Sequence, residues 1–235
     1  MKKYVISYGD DKFASQLEFF RQTAIFSAFF DKILIFGPKD ISDDFNKNIS
    51  QISSVNKGGG YWLWKPYIIK KVLDELDEGD VLIYCDAGCM INSNGRERFD
   101  EYIQLLNDSA SGTIDFQLPH KEYEYTKQEI FNHFNAGEAV INSDQLMSTV
   151  LILKKCPHSS ILVETWYKTA CDYPLLFTDA LVVPQHQEFI DCRHDQSLYS
   201  VIRKIYGANI IPDETWFTDF LRFGRDYPFW ATRLR

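Results

Sequence analysis

Apolar and polar positions change their period along the chain, and each change marks an element. Residues 4–8 (YVISY) form a short β-rich run. A polar loop, Gly9-Asp10-Asp11-Lys12, follows, and then Phe13, Leu17, Phe20, Ala24 and Ala28 recur at helical spacing through residue 30. Residues 32–36 (KILIF) read as a second strand ending at Gly37-Pro38. A strand–helix–strand opening is best served by a right-handed crossover and parallel pairing. The polar stretch to Val55 predicts a short helix and a loop, and residues 67–76 a helix ended near Gly79. Residues 81–85 (VLIYC) are apolar on both faces, as an inner strand covered from both sides requires. Farther on, the pattern predicts helices at 99–106, 126–134, 159–170 and 195–206. It predicts strands at 112–118 and within 139–153, a strand-like run at 209–211, and an irregular aromatic tail. No repeat or linker interrupts this order. The expected fold class is α/β: one domain over 1–235, with helices flanking a mostly parallel central sheet.

Composition narrows the classes of function. With 45% hydrophobic and 15% aromatic residues the chain can bury a substantial core. A formal charge of −8 and a pI near 5.1 argue against a general nucleic-acid binder. No run approaches the roughly 20 apolar residues of a transmembrane segment, and the opening MKKYVISYGDD turns polar too soon for a signal-peptide core. Five cysteines without a CxxC pair argue against a disulfide framework or a zinc cluster, and Cys85 and Cys89 read as small buried hydrophobes. A soluble, cytoplasmic protein is expected.

Three constellations carry candidate chemistry. The first is Asp86-Ala87-Gly88 at the end of the strand at 81–85. In an open parallel sheet ligands collect outside the carboxyl ends of the strands. Asp86 there can hold a divalent cation through oxygen, or it can cap a turn. The second is GGGYWLWKP, residues 58–66, where aromatic faces suited to a base or sugar crowd around Lys65, a point charge for phosphate. It is expected to be part core and part pocket wall. The third is Arg193-His194-Asp195-Gln196 at the start of a helix whose apolar stripe is Leu198, Val201, Ile202 and Ile205. Asp195 there is either an N-cap or an ionised general base. Glu122 to Lys127 either shape an acceptor site or form a solvated helix start, the second being the simpler reading; Asp179 either lines a cleft or sits in a loop, again the second; and His120 and His133 have no metal-type spacing.

In order, YGDDKF, GYWLWKPYII, DVLIYCDAGC, EYTKQEIF and RHDQSLYSVI resemble a family of small glycosyltransferases. These have the GT-A fold, a Rossmann-like α/β domain, and occur in polysaccharide-assembly loci and in large DNA viruses. The resemblance implies transfer of a sugar from a nucleotide-diphosphate sugar, with UDP the expected nucleotide, to a saccharide or glycan hydroxyl, an activity of hexosyltransferase type. It implies Mn²⁺ or Mg²⁺ on Asp86, the first acid of a DxD motif; Gly88 stands where the second acid belongs, so His194 or Asp195, or phosphates and water, would complete the ligand set. Donor contacts fall on Tyr8, Lys12, Tyr61, Trp64, Lys65, Asp86, Ala87, His194 and Gln196, and the catalytic base on Asp195. With that base the transfer inverts; without a base on that face, retention stays open.

Two other readings compete. A Mg²⁺-dependent phosphatase of the haloacid-dehalogenase type wants an acid two residues after the first and a threonine two beyond that, where Gly88 and Met90 stand; a nucleotidyltransferase would use the same strand-end aspartate. A non-catalytic nucleotide- or glycan-binding module is the third reading, kept open by Gly88.

Overall fold

The computed structural model describes residues 1–234. Nine strands are present among the described residues: β1 (Lys3–Tyr8), β2 (Lys32–Phe36), β3 (Val81–Cys85), β4 (Met90–Ile91), β5 (Thr113–Lys121), β6 (Asp144–Leu146), β7 (Val150–Lys154), β8 (Ile210–Pro212) and β9 (Phe229–Trp230). Seven form one sheet in the order β2-β1-β3-β7-β5-β6, with β8 beside β5. β2, β1 and β3 are parallel, β7 is antiparallel to both β3 and β5, and β5 pairs antiparallel with β6 and parallel with β8. Five strands therefore run one way, and only β6 and β7 oppose them. β4 and β9 form a separate two-stranded ribbon.

The major helices are α1 (Ala14–Ser27), α2 (Trp64–Glu75), α3 (Arg96–Asp108), α4 (Gln128–Phe134), α5 (Pro157–Asp172) and α6 (Asp195–Tyr206). All five residues of β3 are buried, and its alternation feeds two cores. Leu82 and Tyr84 join Ile68, Trp166 and Leu198, beneath α2, α5 and α6. Val81, Ile83 and Cys85 join Phe20 and Phe99, beneath α1 and α3.

Element boundaries depart from the pattern where tertiary packing decides. α1 stops at Ser27 because Ala28 turns left-handed, which sends Phe29 into the core at 1% exposure. α2 begins at Trp64, with Pro66 in its first turn, where a missing N–H costs nothing. The region 139–153 holds a helical turn (Glu138–Ile141) and two strands rather than one. In α6, Leu198, Val201 and Ile202 are buried as expected, but Ile205 is exposed. The aromatic tail is anchored: Phe229 and Trp230 are buried, and Trp230 Nε1 donates to Gly224 O at 2.7 Å. Among the described residues no helix is long and apolar enough to cross a membrane.

Candidate active site

A cavity of about 610 Å³ opens at the carboxyl ends of β1 and β3, where open α/β sheets place their ligands. Tyr8 and Lys12 reach it from the end of β1 and the loop beyond. Trp62 and Trp64 line it from the glycine-rich segment, and Asp86, Ala87 and Gly88 from the end of β3. The Tyr8 and Trp64 rings stack with centroids 3.8 Å apart, giving the cavity a flat aromatic wall. Burial, with Asp10 and Asp40 nearby, pushes the Tyr8 hydroxyl up to about 12, so it remains a protonated donor at neutral pH.

The glycine triplet has a conformational cause. Residues 58–62 all have positive φ, from +55° to +89°. This is a left-handed turn, closed by Trp62 N donating to Gly58 O at 3.1 Å and Tyr61 N to Lys57 O at 2.8 Å. Glycine enters that region freely, whereas Tyr61 and Trp62 pay a steric cost there. Trp64 Nε1 secures the turn by donating to Gly58 O at 3.0 Å. The gain is placement: Trp62 stacks on His194 with centroids 5.2 Å apart and faces the cavity. Strain of this kind gathers at binding sites.

Behind the cavity wall lies a buried charge bridge. Lys65 Nζ is 3.1 Å from Asp86 Oδ1 and 2.7 Å from Asp195 Oδ2, with side-chain exposures of 3%, 35% and 7% for Lys65, Asp86 and Asp195. The lysine also donates to Ser148 O at 3.3 Å, and Tyr84 OH donates to Asp86 Oδ1 at 2.6 Å. Burial alone would lower the Lys65 ammonium, but Asp195 and Asp86 reverse this and raise it. Burial raises the Asp195 carboxyl to about 6 against the pull of Lys65. The folded chain thus holds the Asp195 proton more tightly than the unfolded chain does. Its contribution to stability is complete below its ordinary value of 3.8 and is lost as pH rises toward about 6. Urea unfolding at a series of pH values should show that decline in the wild type and not in Asp195→Asn; a decline common to both would assign it elsewhere.

The other expected residues separate into wall and support. Tyr8, Lys12, Trp64, Asp86 and Ala87 line the cavity. Lys65, expected to touch phosphate, is instead enclosed between two carboxylates. Asp195, expected as an open base, has Oδ2 set on Lys65, because the first turn of α6 packs against the buried end of that side chain. Gln196 accepts from Ser148 N at 3.2 Å and donates to Gln145 Oε1 at 2.7 Å, so it ties α6 to the β6–β7 connection. His194 is buried at φ +52°, with Nδ1 donating to Phe177 O at 2.8 Å, and burial lowers its pKa, leaving a neutral ring. Tyr61 donates to Asp179 at 2.9 Å, beside the Lys57–Asp179 ion pair at 2.8 Å. Asp179 therefore pins the left-handed turn through both Lys57 and Tyr61. Trp62 was missed as a cavity residue, although the run of three glycines before it was the available signal.

Ions such as Mn²⁺ or Mg²⁺ prefer about six oxygen ligands. Asp86 Oδ1 is already occupied by Lys65 and Tyr84, and the neighbouring acid, Asp195, is itself set on the same Lys65 ammonium. Among the described residues no three His, Cys, Asp or Glu side chains converge as metal ligands. A side chain at position 88 would be tightly placed: a Cβ there would lie 3.1 Å from Leu234 O and 3.2 Å from Arg233 Cα. These residues do not fit the expected cation.

The sheet order, the two helical layers and the cavity at the ends of β1 and β3 define the GT-A glycosyltransferase fold. Among solved structures, a glycosyltransferase involved in glycosylation of the major capsid of PBCV-1 aligns with a TM-score of 0.53 at 10% identity, over 97% of this chain and 92% of its own. Mouse xyloside xylosyltransferase 1 aligns at 0.48 and 11% identity, covering 97% of each chain. The galactosyltransferase LgtC, solved with donor and acceptor sugar analogues, aligns at 0.45 and 12% identity over 99% of this chain and 84% of its own. No family model and no curated protein matches the sequence.

Proposed function

We propose that the chain is a glycosyltransferase of hexosyltransferase type. It would move a sugar from a nucleoside diphosphate sugar, UDP-linked in the first instance, to a saccharide hydroxyl in polysaccharide assembly. The observation that carries this is the carboxylate of Asp86 at the wall of an aromatic-lined cavity in the GT-A position. The volume falls within the roughly 300–1,000 Å³ of small-molecule sites. Tyr8, Trp62 and Trp64 supply faces for apolar sides of nucleoside or sugar, and Lys12 supplies a charge for phosphate. Asp86 is fixed through one oxygen by Lys65 and Tyr84; the other has no partner among the described residues and is free to accept from a sugar hydroxyl. Asp195 acts through Lys65, as a positioning residue. The five cysteines are free thiols, which accords with a cytoplasmic setting.

The test is release of nucleoside diphosphate from UDP-, GDP- and dTDP-sugars. A hydrogen bond to a charged group is worth about 1.5–3 kcal/mol, so Asp86→Asn should lower kcat/KM for the preferred donor about 10- to 150-fold. Nucleotide binding without turnover of any donor would favour the non-catalytic module.

A further inference from the structure

We propose that Lys127 is a positioning residue for the nucleotide cavity: through the segment 175–183 it sets the Trp62 ring that walls the site. The proposal rests on the donor reading of that cavity. Lys127, in a stretch whose sequence suits a solvated helix start, is buried at 1% exposure just before α4. No carboxylate among the described residues lies within ion-pair distance of its ammonium. Its three N–H groups go instead to three main-chain carbonyls, Leu175 O and Thr178 O at 2.9 Å and Ala180 O at 3.0 Å. Burying a cation without a counter-charge is costly, and burial lowers this ammonium below its ordinary value. A methionine would fill the same length without that cost. What the ammonium adds is a single point that gathers three carbonyls of one chain segment.

The gathered segment carries the groups that hold Trp62. Residues 178–194 contain no helix or strand, and irregular stretches of that length within a domain are usually functional. Thr178 and Ala180, whose carbonyls Lys127 holds, flank Asp179. Asp179 accepts from Lys57 Nζ at 2.8 Å and from Tyr61 OH at 2.9 Å, and so grips the left-handed turn next to Trp62. Phe177 O, one residue before Thr178, accepts from His194 Nδ1 at 2.8 Å, and His194 is the ring on which Trp62 stacks. Trp62 is therefore located from two sides by the segment that Lys127 ties. Glu129, two residues on, takes the opposite poles of the same chain. Its carboxylate accepts from Val182 N, and from Val183 N and Gln185 Nε2 at 3.0 Å each. Trp62 lines the cavity and Lys127 does not, so the lysine acts through the ring.

The experiment compares Lys127→Met with Lys204→Met, which removes another buried ammonium, one paired with Glu122 away from the cavity. Two readings are taken on each folded, full-length variant. One is the Trp62 indole N–H signal of the ligand-free ¹⁵N-labelled protein; the other is the affinity for UDP, GDP, CDP and dTDP by calorimetric titration. Lys127→Met should shift the Trp62 signal and weaken the best-binding nucleotide about tenfold, while Lys204→Met should move neither. Asp179→Ala should weaken that nucleotide by a comparable factor. The double variant Lys127→Met/Asp179→Ala should stay within about twofold of the weaker single one, because both act through one segment. An unshifted Trp62 signal with unchanged affinity in Lys127→Met would overturn the proposal. So would equal changes in the two methionine variants, or fully multiplicative losses in the double variant. If Lys127→Met does not fold, Asp179→Ala decides, since that side chain is 44% exposed: a Trp62 signal that stays in place there breaks the link. Failure of every nucleoside diphosphate to bind the wild type would overturn the donor reading itself, and the Trp62 signals would still decide whether Lys127 sets that ring.

Discussion

Lys65→Met is expected to destabilise the fold by about 3–5 kcal/mol at neutral pH, the usual result of removing one partner from a buried ion pair. Methionine nearly matches the lysine in volume, so the loss is not a cavity effect. The cost falls unequally on the two acids. Asp86 has 35% of its side chain exposed and can rehydrate, whereas Asp195, at 7%, is left as an uncompensated buried carboxylate. Two further results follow. The deficit should shrink as pH falls below neutrality, because a protonated Asp195 no longer needs a counter-charge. The double variant Lys65→Met/Asp195→Asn should recover much of the lost stability, since the buried charge is gone from both sides. Urea unfolding checks all three. A loss below about 1 kcal/mol in the single variant, the scale of an exposed pair, would mean that the bridge does not organise the site.

Gly58→Ala and Gly59→Ala separate two reasons for one glycine run. Both positions have φ near +59°, so both alanines pay about 1–2 kcal/mol for the left-handed backbone. Only at Gly58 does the new Cβ strike a wall, 2.3 Å from Trp62 Cε3 and 2.4 Å from Cδ2. At Gly59 the nearest atom is Trp64 Nε1, at an ordinary 3.6 Å. Gly58→Ala should therefore cost a further ~1–3 kcal/mol for overpacking. It should also displace the Trp62 ring from the cavity and from His194, weakening nucleotide binding more than Gly59→Ala does. Equal stability and equal binding in the two variants would show that Trp62 is not held as described.

Local signals in the sequence carried much of the fold. The continuous apolar run at 81–85 marked β3 as buried on both faces, and the polar break after it marked Asp86 as the residue at the sheet's carboxyl edge. The period of α6 gave its buried stripe. The antiparallel β7 was not legible, because an apolar run looks the same in either direction. The site was harder for the same physical reason: its parts depend on contacts between distant segments. Lys65 carries no mark of its two carboxylate partners at 86 and 195, and an aromatic neighbourhood suggested phosphate instead. Gly88 read only as a missing acid, since nothing near it announces that residues 232–234 cross it. The run Gly58-Gly59-Gly60 did announce an unusual backbone, but not that Tyr61 and Trp62 would share it.

The most direct test of the central claim, a nucleotide site walled by Trp62 and Trp64, is the response of the five tryptophan indole N–H signals to UDP in a ¹⁵N-labelled protein. The account predicts that the Trp62 and Trp64 signals shift with a common saturation curve. Trp166, buried against Tyr199 beneath the sheet, and Trp216, outside the cavity, should stay in place. Shifts confined to Trp216 or Trp230, or none with any nucleoside diphosphate, would contradict it.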